Sequence, residues 1–352
     1  MLRQLARLTR ALPAAGPDAV ALAVYADADD SPVAARESGM EGVACIDDAA
    51  RALVLLCSVW EATELPWIRR WCSGLLDFVL WMQGSDGRWV NFVEDWDGTV
   101  NRNGISSFAG GAFWQARALQ AVARAAVVFD DERATAALNR GLGEMRAPAP
   151  PDVRALHVIT ALDLPDDRVP RLRDHLTGWV DQMLSCTSDG MLMNSPLERG
   201  RPHLWGHVQE AALAAAGARL GRDDVIAVAQ RSATLVFAGV IESGFDMPRV
   251  QPYDVSSAIE VMDSLHAVTG SADCADLAAK ARQWFDGRNT AGIPVYDVET
   301  GRVADGIDDG RVSSNSGAEA NVVAAQVLLD RAVAQARGLA DGAALLLPDA
   351  RA

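Results

Sequence analysis

The chain has 352 residues, half of them hydrophobic, and a formal net charge of −15. This size and apolar content suffice for a large buried core, and the acidic balance argues against nucleic acid or an anionic membrane as partner. No apolar run is expected to reach the length of a membrane span. The five scattered cysteines, without a CxxC pair, indicate free thiols in a reducing cytoplasm.

Two kinds of helical segment alternate along the chain. Amphipathic segments are predicted at 1–13, 66–83, 133–145, 171–186, 223–243 and 274–286. Between them lie segments that are apolar on most faces, at 45–60, 107–126, 151–164, 204–221, 253–270 and 315–333. A helix that is apolar nearly all round is a buried helix, so the second set is predicted to be inner and the first outer. The alternation predicts an all-α (α/α)6 barrel, a six-hairpin toroid, as one domain over residues 1–340 with a tail at 341–352.

Four connections from an outer to an inner helix are long. Loops longer than about 12–15 residues are uncommon without a function. Connections of one kind lie on one face of an alternating ring, so these loops and the starts of the inner helices are predicted to surround one mouth of the toroid. The four loops are 14–42, 84–106, 187–204 and 287–314.

Acidic, aromatic and amide side chains concentrate in these loops and helix starts. Aromatic rings offer flat apolar faces for sugars, acids and amides bind hydroxyl groups, and glycosidic cleavage needs two carboxyls. The predicted catalytic carboxyls are Asp48, Asp47, Glu210 and Asp254. The predicted substrate-binding residues are Arg51, Glu94, Asp95, Trp96, Arg102, Trp114, Gln115, Trp205, His207, Tyr253, Asn315 and Glu319.

Helix capping is a competing explanation for each of these acids. Asp, Ser and Asn are preferred N-cap residues, and acids suit the positive end of a helix dipole. Asp47 and Arg51 are four residues apart and can pair on one helix face. Ser316 and Glu319 have the spacing of a capping box. Both explanations stay open at this point.

Metal and cofactor chemistry finds little support in the sequence. His203 and His207 are four residues apart, but His203 follows Pro202 and no further cysteine or histidine partner is present. The run DADD (27–30) matches the acid motif of class II terpene cyclases, but the chain is too short for their paired domains and the run lacks EF-hand spacing. Phosphate-loop, dinucleotide and GXSXG motifs are absent from the sequence. No metal and no cofactor are therefore predicted.

The alternating helices and acidic helix starts resemble the six-hairpin glycosidase superfamily. The stretches DADDSPVAARESGMEGVACIDDAARALVLL and GRWVNFVEDWDGTVNRNGISSFAGGAFWQARAL are similar, more narrowly, to bacterial (α/α)6 domains found near or fused to glycosyltransferases. Those domains carry an acidic loop, a DDNARAL helix start and an RF.NF loop. The matching positions are Asp29 and Asp30, then Asp47, Asp48 and Arg51, then Arg88, Asn91 and Phe92.

The sequence departs from these domains at Ser106 and Ser107, where relatives carry an acidic pair. An activity that depended on that pair would be lost or moved in this chain. The surrounding stretch 87–107 is expected to form one wall of a sugar cleft, with Trp89 and Phe92 inward and Trp96 toward the ligand.

The leading expectation is a cytoplasmic carbohydrate-active enzyme that hydrolyses a glycosidic bond in an oligosaccharide or glycoconjugate. One alternative is a sugar epimerase or lyase on the same fold, with His207 or Tyr253 as the base. Another is a non-catalytic carbohydrate-binding or scaffold protein, which the serines at 106 and 107 favour. A homodimer is compatible with the sequence.

Overall fold

The computed structural model describes residues 1–27, 31, 33, 41–165 and 172–339. The predicted motif residues Asp29 and Asp30 and the predicted tail 341–352 lie outside these described residues. The chain divides into two compact units. The first comprises Met1–Ala147, Asp297–Asp305 and Ser313–Ala352, and the second comprises Pro148–Tyr296 and Gly306–Val312. The prediction of a single domain over residues 1–340 stays a prediction.

Helices form most of the described chain, so the predicted all-α class is confirmed. In chain order they are α1 Leu2–Leu8, α2 Ile46–Thr63, α3 Pro66–Trp81, α4 Ala112–Phe129, α5 Glu132–Arg146, α6 Pro151–Asp163, α7 Leu176–Leu184, α8 Gln209–Leu220, α9 Asp223–Ala233, α10 Gly239–Glu242, α11 Pro252–Thr269, α12 Ala272–Arg282, α13 Ala318–Val327 and α14 Leu329–Leu339. The predicted inner segment 315–333 is thus broken at Leu328, which leaves the helical conformation at φ −111° and ψ 40°.

Inner and outer helices alternate within each unit. In the first unit α2 packs against α4 and α13, while α3 covers α2, α5 covers α4 and α1 covers α13. In the second unit α8 packs against α6 and α11, while α7, α9 and α12 cover α6, α8 and α11 respectively. Sequence signals set two of the helix starts: Pro66 begins α3, and Asp131 caps the N-terminus of α5. At its other end, α2 stops at Glu64, which has the left-handed conformation.

Short strands form parts of the segments that connect the helices. They are β1 Thr9–Ala11, β2 Val20–Leu22, β3 Ala44–Cys45, β4 Phe92–Val93, β5 Val100–Asn101, β6 Thr187–Ser188, β7 Met191–Leu192, β8 Arg249–Val250, β9 Tyr296–Asp297, β10 Arg302–Val303, β11 Ile307–Asp308 and β12 Arg311–Val312. The antiparallel sheet β3–β4–β5 positions the start of α2, because β3 leads directly into that helix. In its register Cys45 lies opposite Phe92, and Phe92 lies opposite Asn101.

One continuous helical stretch, Asp223–Glu242, has the length and apolar composition of a membrane span. It consists of α9, a π-helical turn and α10. The sequence-based expectation that no apolar run reaches the length of a membrane span is therefore wrong for this stretch, by length and composition. Core helices of soluble proteins meet the same criterion, and Val236, Phe237 and Ile241 of this stretch are buried within the protein.

Candidate functional site

The start of α2 holds a buried carboxyl beside an arginine. Asp48 is 3% exposed, and its backbone N–H donates to the thiol sulfur of Cys45, the N-cap residue, at 3.4 Å. The Arg51 Nη2 donates to Asp48 Oδ1 at 2.7 Å and to Glu319 Oε2 at 2.8 Å. Burial raises the pKa of Asp48 to about 6, although Arg51 acts to lower it. A carboxyl with this pKa is protonated in part near neutral pH, as a general acid must be.

The pKa of the neighbouring Asp47 carboxyl is lowered, whereas that of Asp48 is raised. It pairs with Arg117 of α4 and lies 3.6 Å from Arg51. Burial acts to raise the pKa of Asp47, but Arg117 and Arg51 outweigh it and lower the pKa below the usual value. Two adjacent acids whose environments push their pKa values apart are a recurrent feature of acid–base sites. The sequence motifs did not single out Arg117, although it lies in the similar stretch 87–119.

The loop motif anchors this helix start. The Asn91 Oδ1 accepts the Asp47 N–H at 3.2 Å, and Asn91 Nδ2 donates to the carbonyl of Ser106 at 2.9 Å. The Ser107 hydroxyl accepts the Phe92 N–H at 2.8 Å and donates to the Asn101 carbonyl at 2.6 Å. An ionised acid at position 107 cannot donate that second bond. Ser107 therefore joins two strands of the sheet that supports the start of α2.

Ser106 has a carboxylate partner that the sequence reasoning also missed. Its N–H and its hydroxyl both donate to Glu41 Oε2 at 2.8 Å. The Glu41 carbonyl accepts Asn101 Nδ2 at 2.9 Å. A carboxylate thus lies beside position 106 although the residue there is a serine.

The remainder of the 87–107 stretch forms the hairpin β4–β5. Trp89 and Phe92 are buried, as predicted. Trp96 is half-buried at the hairpin tip, where its N–H donates to Asp95 Oδ1 at 2.7 Å, and Glu94 and Asp95 are exposed. Across the part of the chain that the structure describes, no hydrogen bond or ion pair joins these three residues to Asp48.

Four further predicted binding residues bind the backbone or face solvent. Gln115 accepts the Trp89 N–H at 3.0 Å and donates to the Gly87 carbonyl at 3.1 Å, and Trp114 donates its indole N–H to the Trp89 carbonyl at 3.1 Å. Arg102 is exposed next to β5, and Asn315 is exposed just before α13.

In the second unit His207 and Glu210 form a completely buried pair. Both side chains are 0% exposed, and the His207 Nε2 lies 3.0 Å from Glu210 Oε1 and 2.9 Å from Oε2. The His207 Nδ1 is 2.6 Å from Asn194 Oδ1, and the Ser232 hydroxyl donates to Glu210 Oε1 at 2.5 Å. In this conformation the pair is enclosed by protein and fixes the start of α8, and the predicted site roles of His207 and Glu210 stay predictions.

Asp254 lies at the start of α11 as part of a capping box. Its Oδ2 accepts the Gln251 N–H at 2.8 Å, and the Gln251 side chain accepts the N–H of Asp254 in return. This is the capping arrangement that competes with a catalytic role for acids at helix starts.

An aromatic surface precedes α8. Trp205 is 39% exposed, and its ring stacks on His203 with centroids 4.2 Å apart and planes 10° apart. The ring centroid of Tyr253 lies 6.3 Å away. Gly206 has φ +67°, and a Cβ on it would lie 2.9 Å from the Tyr253 hydroxyl oxygen. The loop therefore presents Trp205 in a defined position.

Hydrogen bonds to neighbouring side chains fix the same loop. The His203 N–H donates to Glu198 Oε1 at 3.1 Å, and the His203 carbonyl accepts Asn194 Nδ2 at 3.0 Å. Among the described residues, no group of three or more His, Cys, Asp or Glu side chains is arranged to hold a metal ion. His203 and His207 thus act in stacking and in a buried pair respectively.

Solved structures of several other proteins share this fold. A D-mannose isomerase is 8% identical with a TM-score of 0.69, over 95% of this chain and 96% of that one. A cellobiose 2-epimerase from Spirochaeta thermophila is 11% identical with a TM-score of 0.68, over 95% and 94%. The GH76 alpha-mannanase BT2949 from Bacteroides thetaiotaomicron is 11% identical with a TM-score of 0.56, over 86% and 89%. The sequence matches no protein-family model and no curated protein.

At such low sequence identity, the structural similarity establishes only that the folds are alike. The chain has the (α/α)6 six-hairpin fold, so the predicted fold is confirmed. The narrower similarity to domains near glycosyltransferases rests on the sequence motifs alone.

Proposed function

We propose that the protein is a carbohydrate-active enzyme in which Asp48 transfers the proton. The observation that carries the proposal is the buried carboxyl of Asp48, which has a pKa of about 6. One nitrogen of Arg51 hydrogen-bonds both this carboxyl and that of Glu319. The solved structures with the same fold are named for reactions of mannose, cellobiose and mannan, which supports a sugar as substrate.

Hydrolysis of a glycosidic bond is the first candidate reaction. Asp48 donates a proton to the leaving oxygen, and Glu319 attacks the anomeric carbon; water then cleaves the glycosyl ester with Asp48 as base. Glu319 replaces the predicted second carboxyls because its side chain is 43% exposed, whereas Glu210 is enclosed and Asp254 caps a helix.

The geometry of this carboxyl pair favours retention of anomeric configuration. Inverting enzymes hold their two carboxyls roughly 6.5–9.5 Å apart, and retaining enzymes hold them about 5–5.5 Å apart. Asp48 Oδ1 and Glu319 Oε2 lie 2.7 and 2.8 Å from one nitrogen of Arg51, so these oxygens are too close together for the inverting separation.

Epimerisation or isomerisation of a reducing sugar is the second candidate. The structural similarity to a D-mannose isomerase and a cellobiose 2-epimerase favours it. Each alignment covers 94% or more of this chain and of the other protein's chain. Here the ionised form of Asp48 removes a proton from the carbon next to the carbonyl. Of the two bases expected from the sequence, His207 is enclosed and Tyr253 is half-buried beside Trp205.

Product analysis in heavy water tests the proposal. Wild type and the variants Asp48→Asn and Glu319→Gln are incubated with cellobiose, D-mannose and an α-linked mannobiose, and the products are followed by NMR. Hydrolysis releases monosaccharide from a disaccharide, and the first anomer seen reports retention. Proton abstraction gives an epimer or ketose that carries solvent deuterium.

Either reaction should disappear in Asp48→Asn. Turnover at the wild-type rate in that variant would contradict the proposal. A sugar that raises the thermal midpoint of the wild type but is recovered intact would point to the non-catalytic binding protein instead.

A further inference from the structure

The backbone fixes Tyr25 beside the Asp48–Glu319 site. Ala23 pairs with Ala44 in an isolated antiparallel bridge, and the Val24 N–H donates to the Val43 carbonyl at 3.0 Å. On the other side, the Val24 carbonyl accepts the Ala318 N–H at 3.2 Å. The segment that carries Tyr25 therefore runs between the strand that leads into α2 and the first residue of α13. Asp48 and Glu319 belong to those two helix starts.

The Tyr25 hydroxyl is a donor that the described part of the chain does not use. The residue is 36% exposed, and no hydrogen bond joins its hydroxyl to another described residue. Burial raises its pKa, and the carboxyls of Asp48, Glu319 and Asp305 raise it further, so the phenol stays neutral and keeps its proton. Asp305 itself binds the start of α13, where its Oδ1 accepts the Gly317 N–H at 2.6 Å.

The chemistry of a sugar explains the use of such a donor. Carboxylates accept hydrogen bonds from sugar hydroxyls, but they cannot donate to ring, glycosidic or carbonyl oxygens. A neutral phenol can donate to those oxygens and adds no charge to a site that already holds several acids.

We propose that Tyr25 is a substrate-binding residue of the Asp48–Glu319 site, where its hydroxyl donates a hydrogen bond to an acceptor oxygen of the bound sugar. This inference rests on the proposed function, since it takes the same site to bind a sugar. It adds a contact from the N-terminal segment, which the sequence motifs do not mark.

Tyr25→Phe removes the hydroxyl and keeps the ring. Cellobiose, D-mannose and an α-linked mannobiose are titrated into wild type, Tyr25→Phe and Asp48→Asn, with binding measured by thermal shift and turnover by NMR. Loss of one neutral hydrogen bond should weaken binding of the recognised sugar about 3- to 10-fold. The midpoint of Tyr25→Phe without sugar should stay within a few degrees of wild type, because the hydroxyl makes no bond to the described residues. Tyr296→Phe is the matched control, since Tyr296 is buried at 5% exposure and should leave sugar affinity unchanged.

The outcomes separate this inference from the proposed function. Equal affinity of Tyr25→Phe and wild type, with Asp48→Asn inactive, would overturn the Tyr25 assignment alone. Weakened binding in Tyr25→Phe together with full turnover in Asp48→Asn would support Tyr25 as a binding residue and contradict the role of Asp48. Failure of the wild type to bind any of the three sugars would overturn the inference.

Discussion

Arg51 and Glu319, separated by 268 positions in the chain, share a 2.8 Å hydrogen bond. The same Arg51 nitrogen also binds Asp48, one helical turn before it on α2. The arginine is 7% exposed, so its charge is neutralised largely by these carboxylates. This contact joins the starts of α2 and α13 and brings together two acids that the sequence leaves far apart.

Asp48→Asn is expected to lower kcat by at least about 100-fold, because positioned general acids contribute roughly 10²–10⁴ to the rate. If Asp48 is the acid of a hydrolysis, wild-type activity should fall as pH rises through about 6, the pKa of its carboxyl. If Asp48 is the base of an epimerisation, activity should rise over the same interval. A pH–rate profile distinguishes them, and a profile without a titration near pH 6 would argue against both roles.

Arg51→Gln should move that titration upward. Arg51 lowers the pKa of Asp48, so its removal leaves burial and the charges of Glu319 and Asp47 to raise the pKa further. Loss of one partner from a buried ion pair also costs about 3–5 kcal/mol of unfolding free energy. Arg124→Gln, which breaks a more exposed pair with Glu61, is the control and should cost at most about 1 kcal/mol. An unshifted profile in Arg51→Gln would contradict the assignment of the titration to Asp48.

Asp48 should also make stability depend on pH in a defined direction. Its folded pKa of about 6 exceeds the ordinary value of 3.8, so folding favours the neutral carboxyl. The stabilising contribution is fully present below about pH 4 and is lost as pH rises through about 6. Relative to Asp48→Asn, the wild type should lose up to about 3 kcal/mol of unfolding free energy between these limits. Urea unfolding of wild type and Asp48→Asn at several pH values measures the difference in their unfolding free energies. A difference that does not change with pH would contradict the prediction.

Glu210→Gln should act on stability more than on catalysis. The Glu210 carboxyl is enclosed with His207 and Ser232, and weakening such a buried hydrogen-bonded pair costs about 1–3 kcal/mol. The thermal midpoint should therefore fall by several degrees, while kcat falls far less than in Asp48→Asn. An inactive variant with an unchanged midpoint would instead restore Glu210 as a catalytic carboxyl.

Trp96→Ala should raise KM with little change in kcat if Trp96 stacks on the sugar as the sequence predicts, because a stacking surface binds substrate and transition state alike. An increase of about 3- to 10-fold corresponds to the 0.5–1.5 kcal/mol of an aromatic contact. Steady-state kinetics measure both constants, and an unchanged KM in Trp96→Ala would show that the hairpin tip has no part in binding.

The fold was predictable because burial leaves a local pattern in the sequence. The four-residue spacing of Trp67, Trp71, Leu75 and Val79 predicts one inward face of α3; the last three are buried and Trp67 is half-buried. Segments such as that of α2, apolar nearly all round, predict inner helices for the same reason. The capping explanation was also available for Asp254, since short polar side chains bind local backbone N–H groups.

The site was predictable only in part. The helix-start motif pointed to Asp48 and Arg51, but nothing in the spacing distinguished Glu210 from Glu319. Their difference in exposure, 0% against 43%, depends on residues contributed by other helices and loops. Tyr25 lies outside the two similar stretches, and Glu41 and Arg117 lie within them but are not motif positions. None of the three was singled out, because their contacts are made across the fold.

The sequence by itself determined the alternation of inner and outer helices, since each helix records its own burial in the order of its apolar residues. Only the tertiary structure decided which acids are enclosed, which cap a helix and which stay open to a ligand. The physical reason is that desolvation and charge pairing depend on neighbours distant in sequence. The bond from Arg51 to Glu319 is the clearest instance of that dependence.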